Sequence, residues 1–110
     1  MKARYIQRGE SIDYTPTADV AAGDIIKVGN LVGVAKLDIK AGELGALALV
    51  GVYEIATNGT AIAAGAVVSV DPGTGKGCAA DAAGAVKFGH AVAAAAAADA
   101  LVHVRLEQGL

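Results

Sequence analysis

One cysteine, Cys78, is all the thiol that the 110-residue chain possesses. That excludes an internal disulfide framework and any cysteine-built zinc site, and it fits a reducing compartment. Tryptophan is absent, and four aromatic residues occur in all: Tyr5, Tyr14, Tyr53 and Phe88. Hydrophobic residues still make up 55% of the sequence, but much of that is alanine and valine. At about 25 cal/mol per Å² of buried apolar surface, alanine contributes little. A core thin for the chain length is expected, one that gains from burial between subunits, as in an oligomer or an assembly component. Long apolar runs are missing too. Residues 44–53 are interrupted by Gly45 and Gly51, and the alanine-rich 91–98 is short. Neither approaches the roughly 20 residues that span a bilayer. No apolar leader is visible at the start, so a soluble, cytoplasmic protein with no membrane partner is expected.

Neither sign of charge dominates: nine Lys and Arg against eleven Asp and Glu leave a net charge of −2. This gives no general attraction for nucleic acid, which is an unlikely partner on this ground, or for an anionic membrane. The first ten residues differ. Lys2, Arg4 and Arg8 stand there against Glu10 alone. Residues 1–12 read as an N-terminal arm that is a solvated, flexible terminus or else a contact for nucleic acid or an acidic protein surface.

What is abundant is glycine, fifteen in one domain-sized chain, with Val, Ile and Leu in short runs between. The pattern predicts many short strands joined by tight turns, an all-β fold, as a small barrel or a sandwich. Segments 25–28 and 31–39 flank Gly29-Asn30, a hairpin connection. Residues 43–55 read as one strand with a bulge at Gly51. A turn at 57–59 comes next, then strands at 66–70, 77–80, 86–93 and 101–106. In 101–106, Leu101, His103 and Arg105 alternate with Val102, Val104 and Leu106. An Ala-Gly pair recurs ahead of an apolar run in 21–28, 40–49 and 63–70, predicting repeated turn-to-strand corners. The alanine run 91–100 is open on local grounds. Propensity favours a short helix; its length and β-like flanks favour strand and turn.

Candidate chemistry is sparse. The stretch 70–80, VDPGTGKGCAA, holds a Gly75-Lys76 pair, as a phosphate-binding loop does. Such a loop needs glycine where Val70 stands and a hydroxyl where Gly77 stands, and it must open a helix. Asp71, Pro72, Gly73 and Gly75 instead predict a β-turn. His90 and His103, on separate strands with no acidic cluster apparent beside them, read as structural or surface groups. Cys78 reads as a small buried thiol, and Asp24 and Glu43 as turn-capping acids. The 58–60 NGT sequon reads as a turn. No catalytic residue, metal site or cofactor is expected.

The order of segments resembles a family of small tailed-phage and prophage proteins, the capsid cement or head-decoration proteins. Many of its members carry a RecA/RadA-type recombinase label. The likeness runs through residues 5–35, 41–55, 61–71 and 89–106, with 41–55 the most distinctive. It implies a compact β-rich domain, oligomeric and in particular trimeric, bound to the outer surface of a phage head that it reinforces. The partners so implied are the major capsid protein and further copies of the chain, and the place is the virion, after the host cytoplasm. For the alanine run it implies strand and turn; six consecutive alanines at 93–98 depart from the more mixed family pattern. On this basis Lys2, Arg4, Tyr5 and Arg8 are candidate contacts to the capsid or a neighbouring subunit, since Tyr and Arg often anchor interfaces. The competing readings are a nucleotide- or DNA-binding recombination factor and a β-barrel accessory module of some other assembly.

Overall fold

The computed structural model describes residues 2–71, 73–79 and 84–109. Pro72 and residue 80, which fall in the glycine-rich stretch 70–80, lie outside them. Nine strands form: β1 (Ser11–Tyr14), β2 (Ile25–Val28), β3 (Leu31–Ala35), β4 (Gly45–Ala48), β5 (Gly51–Ala56), β6 (Val67–Val70), β7 (Gly77–Ala79), β8 (Val86–Ala91) and β9 (Leu101–Leu106). None of the described residues is helical. The strands make two antiparallel sheets, in the orders β1-β4-β3-β2 and β5-β9-β8-β6-β7. The all-β expectation holds, in its sandwich-like form. The second sheet curls until Thr57, just past β5, makes one parallel bridge to Gly77, yet neither sheet closes into a barrel.

Local chemistry sets the corners. Gly29-Asn30 is the two-residue β2–β3 turn, with Val28 opposite Leu31 and positive φ at Gly29 alone, as type II′ requires. The expected single strand 43–55 is two strands in different sheets. Gly51, at φ 124°, is the corner where the chain leaves one sheet for the other, because that backbone conformation strains any residue with a Cβ. Strands β3 and β8 end at Ala35 and Ala91, short of the expected 39 and 93. Beyond each end the chain makes an isolated bridge, Val20 to Ile39 and Ile62 to Ala95.

The two sheets are one device built twice. Strands β1, β2, β3 and β4 correspond to β5, β6, β8 and β9, in the same spatial order, with β7 added outside β6. Val20, Ile39, Ile62 and Ala95 are each followed by a four-residue turn, closed by Asp24 N–H to Ala21 O, Glu43 to Lys40, Ala66 to Ala63 and Asp99 to Ala96. Three of these turns have glycine third, Gly23, Gly42 and Gly65, at φ 92°, 79° and 80°, the type II pattern. The fourth has Ala98, and no described non-glycine residue takes positive φ. This turn sits inside the alanine run, which is therefore bridge and turn rather than helix. Equivalent cross-links recur as well: Gly23 and Gly65 donate to Ala35 O and Ala91 O, at 2.6 and 2.7 Å.

The cores match in turn. In the first half Val20, Ala35, Ile39 and Leu47 are buried together, with Ile12, Tyr14 and Ile26 against them. Their counterparts Ile62, Ala91, Ala95, Val104, Tyr53, Ile55 and Val68 lie in the larger second core. That core also takes Phe88, which is fully buried, and, from the other face of β3, Val32 and Val34. A bulge lets Phe88 in: Val68 faces Gly89 and Ser69 faces Lys87, so Phe88 has no partner in register. The extra residue shifts the alternation, turning Ala91 inward and His90 outward. Tyr53 meets Phe88 edge to face, with centroids 6.2 Å apart.

Candidate interaction surfaces

The described residues of the glycine-rich β6–β7 connection close on one another and form no cradle for phosphate. Gly73 N–H donates to Asp71 Oδ1 at 2.9 Å. Thr74 and Gly75 N–H donate to Asp71 O at 3.2 and 2.6 Å, and Lys76 N–H donates to Thr74 Oγ1 at 3.3 Å. The amides that a phosphate would need are spent within the loop, beside a carboxylate that repels anions. From Gly77 the chain enters strand β7, so no helix dipole faces the loop.

The outer face of the second sheet carries the histidines, each beside a single carboxylate that the sequence reading did not foresee. His103 Nε2 lies 2.8 Å from Glu54 Oε2, the residue directly across from it on β5. His90 Nδ1 meets Glu107 Oε2, whose other oxygen takes Arg105 at 3.4 Å. These are cross-strand pairs on a solvated face. Among the described residues no group of three or more His, Cys, Asp or Glu is placed to hold a metal. Cys78 is buried, its Sγ 3.5 Å from Ser69 O. Burial first, and the Asp71 charge second, push its thiol pKa up, the opposite of what a nucleophile needs. Carboxylates do cap turns: Asp24, Asp99, Asp38 and Asp19 accept from Ala21, Ala96, Ala22 and Ala41 at 3.0, 2.8, 2.7 and 2.9 Å. Glu43 instead lines a surface groove. The NGT segment is a turn, Thr60 N–H donating to Asn58 Oδ1 at 3.2 Å.

Residues 2–9 carry no strand or helix, and Lys2, Arg4, Tyr5 and Arg8 are all exposed along this stretch. They converge on no common site. Arg8 pairs with Glu10 at 3.3 Å, and Glu10 O accepts Leu49 N–H at 2.8 Å, which fixes the root of the arm to the first sheet. The sequence reading missed the groove that Glu43 lines. It holds about 350 Å³ beside the Lys40–Glu43 turn, walled by Leu37, Ile39, Leu44 and Ala46 with Asp38 and Glu43 at its rim. Leu37 and Leu44 flank one of the Ala-Gly corners, but alone in the sequence they read as strand interior.

The sequence matches the phage cement protein family over residues 6–106. The chain belongs to that family. It is a non-enzymatic structural protein of a phage, of the cement or decoration type. Neither a search of curated proteins nor one of solved structures returned a match. Among the described residues of this cement-family chain, no helix is long and apolar enough to cross a membrane.

Proposed function

We propose that this protein binds the outer surface of a phage capsid as a homo-oligomer and stabilises the shell, with the major capsid protein as its partner and the virion as its place. The family match over residues 6–106 carries the reading. The fold supports it, since a rigid duplicated sandwich with solvated faces suits surface attachment. A trimer is the number the family resemblance implies. The basic arm, with Lys2, Arg4, Tyr5 and Arg8, supplies the contact to the shell or to an adjacent subunit.

Co-sedimentation with expanded capsids assembled without the protein tests this. Saturable pelleting and a higher melting temperature of the shell are expected; absence of pelleting overturns the reading. Deleting residues 1–9 is expected to weaken capsid binding at least about tenfold, the scale of losing one interface anchor. Unchanged binding would remove the arm from the contact.

A further inference from the structure

We infer that the N-terminal arm of one copy docks into the groove beside the Lys40–Glu43 turn of a second copy. The inference rests on the proposed homo-oligomer and names the contact that builds it.

The chain carries its own control for this groove. Leu37 stands two residues before the bridge residue Ile39; the matching position before Ala95 is Ala93. The fold makes the equivalent bridge and corner with alanine there, so it does not require a leucine. Yet Leu37 is 76% exposed, and Leu44, just past the turn, is 71% exposed. Ala100 directly follows the matching turn. Two large apolar side chains kept in water beside a concave surface mark a docking site.

The arm fits the groove in chemistry. Tyr5 and Ile6 are 77% and 72% exposed, two apolar side chains in search of cover. Lys2 and Arg4 precede them and Arg8 comes after. The groove offers Asp38 and Glu43 against Lys36, an acidic balance that complements the arm. Its volume is at the small end of the roughly 300–1,000 Å³ of ligand pockets, room for a side chain or two.

Geometry favours a neighbour's arm. Ser11 is itself part of the groove wall, so the arm leaves from the rim. To fill its own groove, the chain would have to reverse at the root of the arm, where Glu10 is held by Leu49. A neighbour's arm needs no reversal. One arm and one groove per copy are satisfied by reciprocal exchange between two copies or by head-to-tail contacts that close into a ring.

Ile6→Cys and Leu44→Cys variants, mixed and oxidised, are expected to give a disulfide-linked heterodimer, the buried Cys78 taking no part. Leu37→Asp/Leu44→Asp is expected to raise the dissociation concentration of the oligomer at least about tenfold. The control Ala93→Asp is expected to leave it unchanged. A peptide of residues 2–10 is expected to bind wild type and not the double variant. Both leucines are exposed, and Leu37→Ser/Leu44→Ser serves if the aspartates disturb folding. An oligomer indifferent to both double variants overturns the docking while the homo-oligomer stands. Self-association kept but capsid pelleting lost assigns the groove to the shell and overturns it too. A wild-type monomer by light scattering, with an intrachain link in Ile6→Cys/Leu44→Cys, overturns the homo-oligomer itself.

Discussion

Gly89 shows how little room a single position can have. A Cβ there would stand 1.8 Å from Arg105 O and 2.7 Å from its carbonyl carbon, and backbone in the middle of a sheet cannot retreat. Gly89→Ala is expected to cost at least about 3 kcal/mol, at or beyond the top of the usual overpacking range, or to prevent folding. Gly23 faces open space at φ 92°, so Gly23→Ala strains only the backbone, at about 1 kcal/mol. Urea denaturation of the two variants separates clash from conformation. Cys78 makes a prediction in pH. Burial holds its thiol protonated in the folded chain, above the ordinary 9.0, so a rising pH ionises the unfolded chain first. The folded chain then binds more protons, and stability falls as pH climbs past about 9. Cys78→Ala is expected to remove the first part of that fall. The later part, from the ordinary 10.0 of Tyr53, also raised by burial, remains. Stability curves at pH 8, 9.5 and 10.5 check this.

Between elements, the two halves solve one packing problem in opposite ways. In the first half Ile39 fills the space above Gly45, where a Cβ would lie 2.5 Å from Ile39 Cδ1. In the second half Ala95 is small and Val102 supplies the bulk, both buried. Importing the second solution into the first gives a double-mutant test. Ile39→Ala alone is expected to cost about 2–5 kcal/mol through the cavity, and Gly45→Val alone about 1–3 kcal/mol or more by overpacking. The pair together is expected to cost less than the sum, a coupling read from chemical denaturation. Local signals such as Gly29-Asn30 and the Ala-Gly corners were legible because a turn is decided by its own few residues. The break inside 43–55 was not, because apolar residues run through both strands and only the tertiary arrangement decides that Gly51 changes sheets. For the same reason Leu44 reads as strand interior and stands in solvent. The basic arm was visible from charge alone; the groove needed the comparison of one half with the other.

At the scale of the whole molecule, the halves are held together by more than the valines of β3. The Gln108 side chain does the work of a strand where β3 runs out of neighbours. Its Oε1 accepts Val32 N–H at 2.9 Å, and its Nε2 donates to Val32 O at 2.7 Å and Leu49 O at 3.2 Å. Gln108→Ala leaves a buried residue's amide and carbonyl unmet and is expected to destabilise by about 1–3 kcal/mol, measured by thermal denaturation. The clamp also sets a schedule. Val32 waits for a partner 76 residues further along the chain, and at about 5–20 residues per second of synthesis that wait is roughly 4–15 s. Throughout it, a nascent first sheet carries an uncapped strand segment that a second nascent chain can capture. The yield of folded protein is then expected to depend on how closely nascent chains crowd on a polysome as well as on the stability of the finished fold.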